Sequence, residues 1–204
     1  MIVRACSFIV VAACFVPCAL AQNFEINFGG PGSARFGEAL GRIGDLDQDG
    51  FPEVFVGAPG FDNGLGLDVG ALYIYSGASL IQALQPLSPP PQVLVTVTGE
   101  NAGDEFGRTA CMTLEDYDND GHPDLLVGAP NHGVRGVGAA YLVLGGASLA
   151  SRSVSAADAR FDGERHYDRV GWSVAGAGDV DADGYEDVLL GAPGYDDTGA
   201  AFLF

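Results

Sequence analysis

The sequence contains no lysine: its nine strongly cationic side chains are all arginine, against 27 aspartates and glutamates, for a formal net charge of −18. A surface this negative repels phosphate backbones and anionic membranes, which argues against binding to nucleic acids and against electrostatic binding to lipids. Metal cations are its natural partners instead. Hydrophobic residues make up 48% and aromatic residues 10% of the chain, enough for a packed core, which argues against a disordered protein.

Cysteine is also scarce, and three of the four cysteines lie in an N-terminal segment that has the features of an export signal. Arg4 precedes an apolar run over residues 8–16, and Ala19-Leu20-Ala21 provides a small-x-small cleavage site before Gln22. The run is too short to span a bilayer comfortably. We predict that residues 1–21 are a signal peptide and that the mature chain is secreted or displayed on the cell surface, or periplasmic in a Gram-negative bacterium.

The few cysteines limit how the mature chain can be held together. A lipoprotein signal ending before Cys14 is an alternative to simple cleavage, but that signal would be very short. After simple cleavage only Cys111 is left, so no intrachain disulfide can form even in an oxidising compartment. Cys111 lies in an apolar stretch and is interpreted as a small buried residue rather than a reactive thiol. Another stabilising factor is therefore expected.

Glycine is abundant, with 31 residues, and it marks an internal repeat. Three units each open with a hydrophobic residue and a glycine, pass through an acidic loop, reach Gly-Ala-Pro and end in a Gly-Ala-aromatic strand. The openings are Phe36-Gly37, Phe106-Gly107 and Val170-Gly171. We place the approximate repeats at residues 29–98, 99–161 and 162–204, all within a single region, 22–204.

Each unit is predicted to form short antiparallel strands separated by turns. No helical period is found outside the signal, and the proline-rich stretch 85–92 must be a loop. Residues 24–28 are a candidate outer strand, since the third unit ends at its third strand. About four antiparallel strands per repeat predict an all-β fold of about three β-propeller blades. In the first unit the predicted strands are 38–43, 53–56, 71–75 and 93–97.

Each acidic loop has nine residues, with carboxylates at positions 1, 3, 5 and 9 and glycine at position 6. Calcium takes about six to eight oxygen ligands, and glycine permits the turn that brings the carbonyl of position 7 toward the ion. We therefore predict about three Ca²⁺ sites. The predicted ligands are Asp45, Asp47, Asp49, Glu53 and the Phe51 carbonyl; Asp116, Asp118, Asp120, Asp124 and the His122 carbonyl; and Asp179, Asp181, Asp183, Asp187 and the Tyr185 carbonyl.

Three alternatives to this interpretation were considered. An EF-hand needs a glutamate at position 12, where these loops have Val56, Val127 and Leu190. Magnesium demands stricter octahedral geometry and retains more water. Plain acidic turns would leave the carboxylates of each loop repelling one another without compensation, although aspartate and glycine favour turns in general. Calcium is therefore the favoured ion.

The ordered motifs Phe-Gly, Asp-x-Asp-x-Asp-Gly and Gly-Ala-Pro resemble the FG-GAP repeat of integrin α-subunit N-terminal propellers and of many exported bacterial proteins. The resemblance covers residues 36–204. It implies a calcium-binding propeller, commonly of seven blades, used for adhesion or ligand binding. Two departures are Val170 in place of the opening Phe and the additional Glu115 before the second loop. With about three blades, we expect part of a larger propeller, a truncated reading frame or a subunit that assembles.

Function is expected on the face opposite the acidic loops, where the connecting loops differ between units in length and chemistry; the alternative is that these loops vary by drift without a role in recognition. In the resembling family this is also the ligand face. We expect no catalysis, because every regular acidic cluster is explained by calcium and no nucleophile or phosphate-loop motif is present. The expected function is a binding or adhesion module for an unknown protein or glycan. The alternatives are a structural accessory propeller of a larger exported enzyme or a fragment without independent function.

Overall fold

The computed structural model describes residue 30 and residues 34–64, 66–84, 88–114, 116–146 and 149–204. The first repeat forms β1 (Leu40–Arg42), β2 (Val54–Ala58), β3 (Ala71–Tyr75) and β4 (Val93–Thr98). The second forms β5 (Thr109–Leu114), β6 (Asp124–Ala129), β7 (Ala139–Val143), the two-residue β8 (Arg152–Ser153) and β9 (Ala159–Asp162). The third forms β10 (Ser173–Gly178), β11 (Asp187–Ala192) and β12 (Ala200–Leu203).

The strands form three sheets with the orders β1-β2-β3-β4-β8, β5-β6-β7-β9 and β10-β11-β12. Neighbouring strands are antiparallel, except that β8 of the second repeat pairs in parallel with β4 of the first. The innermost strand β5 contacts β1 on one side and β10 on the other. This arrangement, in which every strand except β8 lies in the sheet of its own repeat and the first strands are adjacent, confirms the predicted propeller blades.

One expectation about secondary structure was wrong, because a helix lies between β3 and β4. Helix α1 (Gly77–Ala83) is capped by Ser76, whose Oγ accepts a hydrogen bond from the Ser79 amide at 3.1 Å. Seven residues are too few to produce a clear helical period, so the sequence pattern does not reveal it. A single helical turn lies at Val154–Ala156, and irregular turns with non-helical residues lie at His132–Gly136 and Tyr195–Asp197.

The described ranges leave several predictions untested. The signal peptide at residues 1–21, the outer strand at 24–28 and the inserted Glu115 lie outside the described residues. The boundaries of the three repeats also stay predictions. The predicted strand 71–75 coincides with β3, whereas the predicted strand 38–43 is longer than β1.

Two hydrophobic cores lie between the sheets, one at each junction of neighbouring repeats. Strand β6 contributes to both, since all six of its residues are buried and alternate residues of a strand point to opposite faces. Leu125 and Val127 belong to the core shared with the first repeat, and Leu126 belongs to the core shared with the third. The middle sheet is therefore packed on both faces.

The glycines of the repeat motifs lie where neighbouring repeats meet. A Cβ atom on Gly57, of the first Gly-Ala-Pro, would lie 2.1 Å from the carbonyl oxygen of Gly107, in the second opening. The same distance relates Gly128 to Gly171 at the next junction. Within the second repeat itself, the Gly107 amide donates a hydrogen bond to the Gly128 carbonyl at 3.1 Å. The recurring glycines thus permit backbone-to-backbone packing between blades.

Candidate metal centres

The three acidic loops connect the first and second strands of their sheets and share one backbone conformation. Position 4 of each loop has a positive φ: 58° at Gln48, 59° at Asn119 and 62° at Ala182. The glycine at position 6 also has a positive φ in all three loops, between 88° and 96°. Two residues with left-handed backbone conformation so close in sequence make the chain turn tightly, which brings the aspartates of the loop close to one another.

The first aspartate of each loop organises the turn. In the first loop Asp45 accepts hydrogen bonds from the amides of Asp49 at 3.0 Å and Gly50 at 2.9 Å. Asp116 and Asp179 accept the equivalent pairs in the second and third loops, at 2.8–3.1 Å. The repetition indicates that the loops are built by the same local interactions, independently of their other side chains.

Carboxylate oxygens of each loop converge within 4.8 Å of one another. In the second and third loops Asp120 and Asp183, at position 5, lie outside these groups, and each accepts a hydrogen bond from the amide two residues later. Coordination by all fifteen predicted ligands, including the three carbonyls, stays a prediction. The converging groups are Asp45, Asp47, Asp49 and Glu53; Asp116, Asp118 and Asp124; and Asp179, Asp181 and Asp187.

The carboxylate at position 9 is the most enclosed member of each group. Glu53 and Asp124 are fully buried, and Asp187 is half-buried. Asp124 accepts hydrogen bonds from Tyr117 at 2.6 Å and from Gly145 at 2.7 Å, and so joins its loop to the connection after β7. Glu53 accepts corresponding bonds from Leu46 at 2.5 Å and from Gly77 at 3.4 Å. The connections after the third strands therefore lie beside the acidic loops.

Burial changes the protonation of these two carboxyl groups. It raises the pKa of Glu53 and Asp124, against the lowering effect of the backbone amides that bond to them, and the other loop carboxylates raise both further. A buried ionised carboxylate is costly without a compensating charge. A hard cation held by oxygen ligands would supply that charge, so the donor chemistry of the loops fits a divalent ion.

A further ionisable group, which we did not predict from the sequence, lies away from the acidic loops. It contains Glu100, Asp104 and His132, whose nearest nitrogen and oxygen atoms are also within 4.8 Å of one another. The alignment of the repeats contains a signal for it, because His132 occupies the place of Phe61 and Tyr195 in the other units.

Trp172 is half-buried, and two arginines lie against its ring. The guanidinium carbons of Arg108 and Arg169 lie 4.7 Å and 5.3 Å from its ring. Arg108 also bonds to Glu105, at 2.5 Å, which in turn pairs with Arg35 of the first repeat at 2.6 Å. These side chains connect the three innermost strands at one end of the sheets.

Together, the sheet order, the glycine contacts and the repeated acidic loops define a repeat protein of the β-propeller class. The chain belongs to the FG-GAP repeat family, whose model matches residues 36–75, 106–143 and 170–204. This confirms the resemblance inferred from the motifs. Within the described residues, no helix is both long and apolar enough to cross a membrane.

The chain is similar to parts of much longer proteins. It is 33% identical over 172 residues to human integrin alpha-IIb, which covers 79% of this chain and 15% of the integrin. It is 30% identical over 162 residues to bovine phosphatidylinositol-glycan-specific phospholipase D, which covers 78% of this chain and 19% of the enzyme. Human integrin alpha-10 is 40% identical over 99 residues, or 48% of this chain and 8% of the integrin. The chain thus spans less than a fifth of the length of these relatives.

Proposed function

We propose that this chain is an exported, non-catalytic β-propeller module that binds calcium through its three acidic loops and a protein or glycan ligand through the opposite loops. The observation that carries the proposal is the threefold repetition of one loop geometry, with carboxylates at positions 1, 3 and 9 converging each time. Unrelated acidic turns have no reason to share two left-handed backbone positions and the same hydrogen bonds.

Calcium is favoured over other ions by the chemistry of the donors. The groups contain only carboxylate oxygens, without the histidine or cysteine that zinc prefers. Loops that already place several oxygens around one centre suit the flexible, oxygen-rich coordination of Ca²⁺ better than the strict octahedron of Mg²⁺. The sites would also offset part of the formal charge of −18, which otherwise opposes compaction.

Calorimetric titration of the chelator-treated protein with CaCl₂ tests the calcium proposal. We expect about three equivalents to bind, and we expect one fewer in the double variant Asp116→Asn/Asp118→Asn. Glu164→Gln serves as the matched control, because it removes an exposed carboxylate outside the acidic loops and should retain every site. Absence of calcium binding to the unmodified protein at millimolar concentrations would refute the proposal.

The loops at the other end of the strands have features that support the proposed ligand surface. Leu67, Val134 and Tyr167 lie in these loops and are 71%, 70% and 56% exposed. Neighbouring loops bond to each other, since the Tyr167 amide donates to the Arg135 carbonyl at 3.1 Å and the Gly103 amide to the Leu67 carbonyl at 2.9 Å. Exposed apolar side chains on a backbone that is held by hydrogen bonds can contact another molecule with little loss of conformational entropy.

A panel of immobilised extracellular proteins and glycans, probed with the calcium-loaded protein, tests for a ligand. Val134→Ser combined with Tyr167→Ser should abolish a specific signal while the melting temperature is retained. Val180→Ser is the matched control: Val180 is 58% exposed but lies in the third acidic loop, at the opposite end of the strands. Equal loss of binding in both variants would contradict recognition by the opposite loops.

An accessory role in a larger exported enzyme is the second candidate, supported by the similarity to the phospholipase D. That similarity covers 19% of the enzyme, so enzymatic activity does not follow for this chain. Release of a phosphatidylinositol-glycan-anchored reporter from vesicles is the direct assay, and we expect none. Measured release would overturn the non-catalytic proposal.

A further inference from the structure

The repeats share an aromatic pair, and one member differs in the second repeat. Phe61 packs edge-on against Tyr73 in the first repeat, with ring centroids 6.3 Å apart, and Tyr195 packs against Phe202 in the third, at 5.3 Å. In the second repeat His132 takes the place of the first partner and lies 5.9 Å from Tyr141, with the rings perpendicular. The second repeat thus has a titratable imidazole ring at the position where the first repeat has phenylalanine and the third has tyrosine.

The partner of this histidine is a buried carboxylate. Nδ1 of His132 lies 2.8 Å from Oδ2 of Asp104, a side chain that is only 5% exposed. Asp104 precedes the opening of the second repeat by two residues, where the first repeat has the buried Ala34. The third repeat has the buried Asp168, but there the carboxylate accepts a backbone bond from Arg165, at 2.9 Å. The aspartate–histidine pair is therefore specific to one junction among the described repeats.

Other charged groups face the ring from two further sides. Glu100, in the same connection as Asp104, has its Oε1 atom 3.7 Å from Nδ1 and accepts a hydrogen bond from the Tyr141 hydroxyl at 3.0 Å. From β9, Oδ1 of Asp162 lies 3.9 Å from Nε2. Arg160, also on β9, pairs with both Glu100, at 3.2 Å, and Asp162, at 2.9 Å.

The balance of these charges favours the protonated ring. Three carboxylates face His132 and only one guanidinium opposes it. The hydrogen bond to Asp104 chiefly raises the pKa of His132, and this effect, with the negative charges of Asp104 and Glu100, outweighs burial and Arg160, which both lower it. A metal ion fits the group of Glu100, Asp104 and His132 less well than a proton does. The oxygen and nitrogen atoms of these side chains already bond to protein partners, and Arg160 places a positive charge beside Glu100.

The connection that carries Glu100 and Asp104 joins the first repeat to the second. Its amides bond to the first repeat: Gly99 to the carbonyl of Gly70 at 2.9 Å, Gly103 to Leu67 at 2.9 Å and Glu105 to Asp68 at 3.0 Å. Its acidic side chains, by contrast, reach His132 and Tyr141 of the second repeat. The side-chain cluster is therefore part of the attachment between two blades.

We propose that His132 is a proton-operated latch, which holds the connection 99–105 against the second repeat in mildly acidic medium and loosens it as the medium becomes alkaline. The ring binds its proton more tightly in the folded state than in the unfolded state. Its stabilising contribution is therefore fully present below the unfolded pKa of about 6.5 and is lost as the pH rises through the higher folded pKa.

Hydrogen exchange of the calcium-saturated protein tests the latch, at about pH 6, below the ordinary histidine pKa of about 6.5, and at about pH 8.5, well above it. After correction for intrinsic exchange, we expect the amides of Gly103 and Glu105 to lose protection several-fold more than those of β11 on going to the higher pH. His132→Tyr should remove this difference while keeping an aromatic ring, as Tyr195 does in the third repeat. His132→Gln provides a second non-titrating variant if the tyrosine does not fold.

Three outcomes would overturn the latch. The first is unchanged relative protection of Gly103 and Glu105 between the two pH values in the unmodified protein. The second is the same pH dependence in the non-titrating variants. The third is loss of the effect on addition of a zinc-selective chelator, which would assign the cluster to a metal ion instead.

Discussion

The side-chain amide of Asn119, in the second acidic loop, donates a hydrogen bond of 2.8 Å to the carbonyl oxygen of Gly184 in the third. The bond links position 4 of one loop to position 6 of the next. Asn119 itself has a φ of 59°, a conformation that asparagine tolerates better than most residues. One side chain thus satisfies the local turn and connects two blades.

We expect Asn119→Gly to lower the free energy of unfolding by about 0.5 kcal/mol, because an exposed hydrogen bond is lost while the turn is retained. Gln48→Gly is the control: it is the same change at the same loop position, where φ is 58°, and it should be neutral or stabilising. Urea unfolding at saturating calcium measures both. A loss of equal size in the two variants would assign the effect to the glycine rather than to the bond between loops.

The third loop stores backbone strain at Ala182, whose φ is 62°. Left-handed conformations cost residues with a Cβ about 1–2 kcal/mol, and alanine has no polar side chain to compensate. Ala182→Gly should therefore raise the free energy of unfolding by about 0.5–1 kcal/mol after the entropic cost of glycine is subtracted. Ala201→Gly, in strand β12, should have the opposite sign. Denaturant unfolding distinguishes them, and a destabilised Ala182→Gly variant would contradict the prediction.

The contact between blades makes Gly57 intolerant of a side chain. We expect Gly57→Ala to destabilise the protein by about 1–3 kcal/mol, because its Cβ would collide with the backbone oxygen of Gly107. The control is Gly191→Ala, at the same motif position in the third repeat. The nearest atom to its Cβ is Oγ of Ser173, the end of a side chain that can rotate away. Melting temperatures report both, and equal losses would show that the motif glycine serves its own strand instead.

Lowering the pH should change the melting temperatures of the metal-free and the calcium-loaded protein in opposite directions. Burial raises the pKa of Glu53 and Asp124 in the metal-free fold. Their protonated forms therefore favour folding, and this contribution is lost as the pH rises through the folded pKa values. In chelator, the melting temperature should rise between neutral pH and about pH 5, whereas in calcium it should fall because protons compete with the ion.

Acid also relieves charge repulsion throughout the protein. The variant Glu53→Gln/Asp124→Asn removes the titration of the two buried carboxyl groups and so distinguishes their effect on stability from that general effect. In chelator its melting temperature should depend less on pH than that of the unmodified protein. Parallel shifts in chelator and calcium would contradict a role for the buried carboxylates in ion binding.

The sequence predicts most of the architecture because the features that determine it are local and repeated. The Gly-Ala-aromatic motif predicted β3 correctly, and the spacing of Asp45, Asp47 and Glu53 anticipated their convergence. Helix α1 was missed because a capped helix of about two turns leaves too little periodicity. The parallel pairing of β8 with β4 depends on tertiary proximity between repeats, which no local pattern encodes.

The Asp104–His132 pair was missed for a different reason. Its members are 28 residues apart, and each belongs to a loop that differs between the repeats. Only the alignment of His132 with Phe61 and Tyr195 marks the substitution, and alignment alone does not show that a carboxylate lies opposite. Long-range polar pairs of this kind require the fold before they can be recognised.

The glycine contacts between blades have a consequence for how such proteins diversify. Gly57 meets Gly107, and Gly128 meets Gly171, through backbone atoms, so these contacts, unlike the hydrophobic cores at the same junctions, depend on backbone rather than on side-chain identity. A repeat that keeps its opening glycine and its Gly-Ala-Pro glycine can make the same backbone contact with the repeat on either side. Duplication or exchange of whole repeats then preserves these backbone contacts, while the intervening loops acquire new specificities.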